Sequence, residues 1–126
     1  MPVRQTPVFV VLHATGITEA LPELYPPRVP RGFHYLIDGQ GVLHQQLGEN
    51  EEGSHTKGKN TGSIGVMLMG RRNFAPAQMD TLFSLYFGLR SRWGIEVKTW
   101  YACHEFDRRI PEYVSIETLR DRLISL

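Results

Sequence analysis

The run Val8-Phe9-Val10-Val11-Leu12-His13 joins β-branched, aromatic and aliphatic side chains, with no polar residue before its last position. A continuous apolar run of this length predicts a strand that is buried on both faces, as in the interior of a mostly parallel sheet. The strand ends on an imidazole, a group that titrates near neutral pH. The predicted centre of the fold is therefore a buried strand with His13 at its carboxyl end.

Further strands are predicted at 33–37, 42–46, 63–69 and 97–103. Between the first two of these, Asp38-Gly39 predicts a tight hairpin turn in which the pair supplies the positive φ. The strand at 97–103 leads directly into His104. Because neighbouring residues on a strand face opposite sides, Cys103 is expected to be a core thiol that points away from His104.

Two helices are predicted downstream of Gly70. The first begins at Pro76, and its apolar stripe follows helical spacing through Met79, Leu82, Phe83, Tyr86, Phe87 and Arg90. Ser115 is expected to cap a last helix whose buried face carries Ile116, Leu119, Leu123 and Leu126. Residues 14–32 contain four prolines, which leave room for only a short helix near Ile17–Leu21. The element order predicts an α/β fold, with a single mixed β-sheet of about five strands and two to three packed helices.

Composition narrows the class of protein. The 126 residues predict one domain spanning 1–126, and 14 Lys+Arg against 13 Asp+Glu give no basic surface for nucleic acid. A single Cys excludes a disulfide framework and paired-thiolate metal sites. No apolar run approaches the roughly 20 residues of a membrane span, so membrane insertion is not expected. No signal peptide is recognisable at the start, and synthesis in the cytoplasm is expected.

Histidines are the candidate functional residues. His13 and His104 end neighbouring predicted strands, whose tips lie about 5 Å apart in a sheet, so the two imidazoles can share a metal ion or simply pack with hydrogen bonds. Cross-strand packing is the simplest interpretation of His34 and His44, both in the hairpin. His55 lies in a polar, glycine-rich stretch that is typical of a surface loop.

Five motifs carry a family resemblance: Val11-Leu12-His13-Ala14-Thr15, Gly32-Phe33-His34-Tyr35-Leu36-Ile37, Gly53-Ser54-His55-Thr56-Lys57-Gly58-Lys59-Asn60, Ser63-Ile64-Gly65-Val66 and Cys103-His104-Glu105-Phe106-Asp107. Together they resemble the zinc-dependent N-acetylmuramoyl-L-alanine amidases, in particular small phage amidase endolysins, which share their fold with peptidoglycan recognition proteins. The resemblance implies a hydrolase that uses Zn²⁺ to cut the amide between N-acetylmuramic acid and the L-alanine of the stem peptide. It also implies that His13 and His104 are zinc ligands.

The third zinc ligand departs from the family pattern. The family has Cys or Asp before a Pro-Gly, whereas Ile110 occupies the matching position here and cannot bind zinc. Asp107 is the expected replacement, with Glu112 as the alternative, because either carboxylate would complete a site of two histidines and one carboxylate. The competing interpretation is that Asp107 pairs with Arg108 or Arg109 and that Glu112 faces water.

The resemblance also implies a substrate cleft, lined by Phe33, His34, His55, Thr56 and Asn60. Phe33 and Met67 stand where family members carry a Tyr or a Glu that handles protons. The expected partner is peptidoglycan or a muropeptide, reached by release to the cell wall, as for a bacteriolytic phage endolysin. The alternatives are a peptidoglycan-binding module that has lost hydrolysis and a regulatory module that binds another protein.

Overall fold

The computed structural model describes residues 4–15, 32–70, 74–109 and 116–124. Its strands are β1 (Phe9–Ala14), β2 (Tyr35–Ile37), β3 (Leu43–Gln45), β4 (Ser63–Leu68) and β5 (Trp100–Ala102). The helices are α1 (Pro76–Trp93) and α2 (Ile116–Ile124). The predicted positions of Ser115 and Leu126 and of the short helix near 17–21 lie outside the described residues.

The five strands form one mixed sheet in the order β3-β2-β4-β1-β5. β2 and β3 are antiparallel, and the other neighbouring pairs are parallel. β1 is paired on both sides, with Val11 opposite Gly65 of β4 and opposite Tyr101 of β5. The α/β prediction, with one mixed sheet and two packed helices, is therefore confirmed.

The main core lies between one face of the sheet and the two helices. Val10 and Leu12 of β1 point into it, together with Leu82 and Leu89 of α1 and Trp100 of β5, all fully buried. On α1 the buried residues are Gln78, Leu82, Leu85, Tyr86 and Leu89. The predicted stripe was therefore displaced, since Phe87 is 44% exposed while Leu85 and Leu89 face the sheet.

One of the buried positions on α1 is polar and was therefore absent from the predicted apolar stripe. Gln78, in the first turn of α1, accepts a hydrogen bond from the Ala75 backbone and donates one to the Met69 carbonyl at 2.7 Å. These two bonds fix the start of the helix against the end of β4. A polar side chain can be buried when its hydrogen bonds are made. A prediction based on the spacing of apolar residues therefore misses this buried position.

The hairpin turn differs from its prediction in which glycine has positive φ. Gly41, at φ +85°, adopts the left-handed conformation, and Gly39 does not. The Asp38 carboxylate accepts backbone hydrogen bonds from Gln40 and Val42 at 2.8 and 2.9 Å. A side chain at Gly41 would also meet the Ala77 carbonyl oxygen at 2.6 Å, at the start of α1. Glycine is required there for conformation and for space.

The last strand is shorter than predicted. Residues 97–99 form a 3₁₀ turn, β5 keeps only three residues at the sheet edge, and Cys103–Glu105 form a second 3₁₀ turn. His104 therefore lies in a turn beyond the strand. The strand-alternation argument for Cys103 does not apply, because that argument needs an extended backbone.

The second face of the sheet carries His13 and a small apolar cluster. Phe33, Leu36 and Met67 form a small buried cluster there, away from both helices. His13 belongs to the same face, because Val10 and Leu12 of β1 point to the helical side and side chains alternate along a strand.

Glu49 ties the loop after β3 to the end of α1. Its carboxylate accepts hydrogen bonds from the Tyr35 hydroxyl, from Arg92 at 2.6 and 2.7 Å, and from the Trp93 indole at 2.8 Å. Burial alone would raise the pKa of Glu49, but the hydrogen bonds from these three donors give a pKa below the ordinary value. The carboxylate is thus held as an anion between two elements that are distant in sequence.

We expect Glu49→Gln to lower the free energy of unfolding by about 1–3 kcal/mol, because the amide cannot accept from all three donors and leaves buried groups unpaired. Urea denaturation at pH 7 measures the change. Glu52→Gln is the matched control, since Glu52 accepts an exposed hydrogen bond from Thr61. Equal stability of the Glu49 and Glu52 variants would contradict this account of the loop.

Candidate functional site

A cavity of about 350 Å³ opens on the second face of the sheet, beside the carboxyl end of β1. It is lined by His13, His55, Thr56, Lys57, Cys103, Phe106, Asp107 and Arg109. The lining comes from β1, from the loop before β4 and from the turn after β5. It therefore joins three of the motifs singled out in the sequence.

His13 forms the inner wall of this cavity. Its side chain is buried, and its ring meets Phe33 edge to face with 4.8 Å between centroids. Burial lowers the pKa of His13 to about 4, so the imidazole is neutral at pH 7. A neutral imidazole offers a lone pair on one ring nitrogen, which is the form that binds metal ions.

His55 lies over the backbone of β4 rather than on the surface. A Cβ at Gly65 would come within 2.5 Å of two carbons of the His55 ring, so only glycine leaves room for the imidazole. The backbone N–H groups of His55 and Thr56 both donate to the Asn60 side-chain oxygen, at 2.9 and 2.8 Å. Burial, with smaller contributions from His13 and His34, lowers the pKa of His55 to about 3.

Hydrogen bonds link the two cavity histidines through a threonine. The Thr56 hydroxyl lies 3.0 Å from Nε2 of His13 and 2.7 Å from Nδ1 of His55. Nε2 of His55 in turn lies 3.0 Å from the Ser63 hydroxyl at the start of β4. His13 is thus connected through Thr56 and His55 to Ser63, the first residue of β4.

His34 has a different environment from the two cavity histidines. It is fully buried, its Nδ1 accepts from the Gly65 backbone at 3.0 Å, and its Nε2 lies 2.6 Å from the Glu51 carbonyl, to which it donates. Burial lowers the pKa of His34 below its ordinary value. Both ring nitrogens bind backbone groups, and the ring holds the loop at Glu51 against β4. Four of the predicted site residues are not among the cavity-lining residues: Phe33, His34, Asn60 and His104.

The turn after β5 supplies the opposite wall. Asp107 receives two hydrogen bonds from the Arg109 guanidinium, at 3.0 and 2.9 Å, and one from its backbone N–H. These bonds lower the pKa of Asp107 to about 2. The competing interpretation of Asp107, an ion pair with a neighbouring arginine, is thus what the structure shows. Cys103 is buried but contributes to the cavity wall, and burial raises the pKa of its thiol.

The described part of the cavity holds an incomplete set of donors for a metal ion. Within the described parts of the chain, no group of three or more His, Cys, Asp or Glu side chains is arranged to hold one. Nitrogen and carboxylate groups of the type that zinc prefers are nevertheless present around the cavity, at His13 and Asp107. Ile110 and Glu112 lie outside the described residues. The chemistry of the side chains suits zinc, and the described residues leave the ligand set incomplete.

A larger groove of about 910 Å³ lies on the other side of the molecule, between the hairpin and α1. Its wall includes Glu49 and Arg92, whose charges are already paired with one another. No histidine lines it. The smaller cavity, which is lined by the neutral imidazoles of His13 and His55, is therefore the candidate functional site.

Four lining residues were not anticipated from the sequence: Lys57, Cys103, Phe106 and Arg109 took no part in the predicted cleft. Lys57 follows Thr56 in the same motif and could have been included on proximity alone. The roles of Cys103 and Arg109 depend on the 3₁₀ turn after β5, which the residue pattern does not reveal.

The known proteins that this chain resembles in sequence include amidases and endolysins. A protein-family model described as N-acetylmuramoyl-L-alanine amidase matches residues 3–114. The endolysin of Escherichia phage T7 is 36% identical over 90 residues, which are 60% of this chain and 60% of that protein. The endolysin of Klebsiella phage KP32 is 37% identical over 67 residues, which are 47% of this chain and 44% of that protein. The chain therefore spans about half the length of the curated relatives it matches.

Solved structures extend the likeness to the fold. The N-acetylmuramoyl-L-alanine amidase LysC from Clostridium intestinale superposes with a TM-score of 0.77 at 23% identity, over 95% of this chain and 87% of that one. A chain from the ectodomain complex of peptidoglycan recognition proteins LCa and LCx, bound to tracheal cytotoxin, gives a TM-score of 0.71 at 20% identity, over 89% and 79%.

We expect Gly65→Ala to lower the free energy of unfolding by about 1–3 kcal/mol, because the new methyl group would displace the His55 ring. Thermal and urea unfolding of the metal-free protein measure the loss. Gly48→Ala is the control, because its methyl group would meet only the ends of the Asn50 and Glu51 side chains, at 3.2 and 3.3 Å. A Gly65→Ala protein as stable as the wild type would show that the ring is not confined as described.

Proposed function

The chain belongs to the N-acetylmuramoyl-L-alanine amidase family, and on this premise we propose that it hydrolyses the amide between N-acetylmuramic acid and the L-alanine of the stem peptide. The observation that carries the proposal is the cavity in which the neutral, buried His13 faces the turn that follows β5. The substrate is then peptidoglycan or a muropeptide. Residues 1–126 would act as a single domain.

Zinc is the cofactor in this proposal, held by His13, His104 and a carboxylate. His104 follows Cys103, which lines the cavity, although His104 itself is not among the lining residues, and its role as a ligand is part of the proposal. When bound, zinc would supply a Lewis acid that polarises the scissile carbonyl and acidifies a water. The protein's contribution is to hold His13 neutral at pH 7, since a protonated imidazole has no lone pair for a metal.

Asp107 is the first candidate for the carboxylate, and Glu112 is the alternative. Asp107 lines the cavity, and its oxygens are held by Arg109 as the anion, the form that a metal requires. To bind a metal it would exchange at least one of its bonds from Arg109. Because Arg109 is 90% exposed on its side chain, that exchange costs little.

Substrate contacts are proposed for Phe33, His55 and Thr56, which lie on or beside the inner wall. His34 and Asn60 would act through the loop they hold, since their polar atoms bind backbone groups. The positive charge of Lys57, together with that of Arg109 once Asp107 has exchanged its bonds from it, would stabilise the negative charge that develops on the carbonyl oxygen. In this proposal they take over an electrostatic role that Phe33 cannot supply.

A second candidate function is peptidoglycan binding without hydrolysis. It is favoured by Phe33 and Met67, which belong to a buried apolar cluster and occupy positions where proton-handling side chains are expected from the family pattern. A binding module would keep the cavity and its loop but would release no product. A regulatory protein partner has no such support among the described residues.

Endolysin relatives suggest where the protein would act. We propose that it reaches the cell wall after release, as an endolysin does. Among the helices that the structure describes, none is both long and apolar enough to cross a bilayer.

Purified sacculi test the proposal. Incubation with zinc-loaded protein should release amino groups that end-group analysis identifies as L-alanine, with no new reducing sugar ends. His13→Ala and His104→Ala should each reduce the release by at least about 100-fold, because each would remove a metal ligand. His44→Ala, at an edge-strand histidine outside the cavity, should retain activity. Retained hydrolysis in both the His13 and the His104 variant would contradict the site assignment, and binding without release would favour the second candidate.

A further inference from the structure

The proton of the Ser63 hydroxyl is committed to the protein backbone. Ser63 Oγ lies 2.7 Å from the Lys59 carbonyl and 3.0 Å from the Asn60 carbonyl, and a carbonyl oxygen can only accept. The Ser63 oxygen must therefore accept in its 3.0 Å contact with His55. The proton of this contact is carried by Nε2 of His55.

The position of the proton on His55 determines which way the Thr56 hydroxyl donates. Both ring nitrogens of His55 contact hydroxyl groups, those of Ser63 and Thr56, and an uncharged imidazole carries a single N–H. With its proton on Nε2, the ring has a lone pair on Nδ1, and that atom accepts the one proton of the Thr56 hydroxyl at 2.7 Å. The Thr56 oxygen then has only acceptor capacity left for His13, 3.0 Å away.

We propose that Thr56 is a positioning residue that fixes His13 in a single tautomer, with the proton on Nε2 and the lone pair on Nδ1. The hydrogen-bonded series Ser63–His55–Thr56–His13 begins at the carbonyl groups of Lys59 and Asn60. These carbonyls fix the direction of each bond in the series and therefore the tautomer of His13. A partner on one ring nitrogen commonly determines which nitrogen of a histidine binds a metal. One consequence is that Nδ1 of His13 is the nitrogen available to zinc. This consequence rests on the proposed function.

A hydroxyl is the group that this position requires. It accepts from one ring while donating to the other, which neither a methyl group nor a carboxylate can do. The backbone that leads into Thr56 is held in place by Asn60, which binds the N–H groups of His55 and Thr56. The loop therefore presents the hydroxyl at a fixed point between the two imidazoles.

Nuclear magnetic resonance of the metal-free protein, with ¹⁵N-labelled histidine, tests the tautomer directly at pH 7. The wild type should show a protonated Nε2 and an unprotonated Nδ1 on His13, with a ring N–H proton protected from exchange. Thr56→Val should lose that protected proton, and Thr56→Ser should restore it. Thr61→Val is the matched control in the same loop, because the Thr61 hydroxyl binds Glu52 away from the cavity.

Zinc affinity, measured by competition with a chromophoric chelator, gives the second readout. Thr56→Val should weaken zinc binding by about 10-fold or more, while Thr56→Ser and Thr61→Val stay close to the wild type. A His13 protonated on Nδ1 in the wild type, or a Thr56→Val protein with unchanged tautomer and zinc affinity, would overturn the proposal. A wild type with the stated tautomer but no zinc binding would support the role of Thr56 and contradict the proposed metal site.

Discussion

The site depends on how closely the His55 ring approaches the backbone of β4 at Gly65. That contact leaves no space for a Cβ at Gly65. It also partly buries the His55 ring, and burial keeps the imidazole neutral. From there the ring reaches Ser63 on one side and Thr56 on the other. Thr56 in turn contacts His13, so the glycine of one strand determines the surroundings of a histidine on the neighbouring strand.

Much of the fold could be predicted because it is encoded in local patterns. The apolar run that became β1 and the apolar spacing of Leu119 and Leu123 in α2 both predicted their elements. The prediction was wrong where a tertiary contact overrides the local pattern. Gln78 is buried because Met69 accepts its hydrogen bond, and the strand at 97–103 shortens because β1 pairs with only Trp100–Ala102.

The site could be predicted only in part. His13, His55 and Thr56 came from motif resemblance, and the structure brings the three side chains together. The burial of His34 could not be read from the hairpin sequence, since its partners Gly65 and Glu51 lie far along the chain. Residue spacing likewise carries no information on which nitrogen of a ring holds a proton, because that follows from contacts between three separate segments.

The most direct test of the account is anomalous diffraction at the zinc edge from crystals soaked in zinc. The account predicts one strong peak in the cavity, at roughly 2.0–2.1 Å from ring nitrogens of His13 and His104, with a carboxylate as a further neighbour. Occupancy should fall when the crystals are washed with chelator. A cavity without a peak, or a peak bound only by surface residues elsewhere, would contradict the claim that this histidine cavity is a metal-dependent hydrolase site.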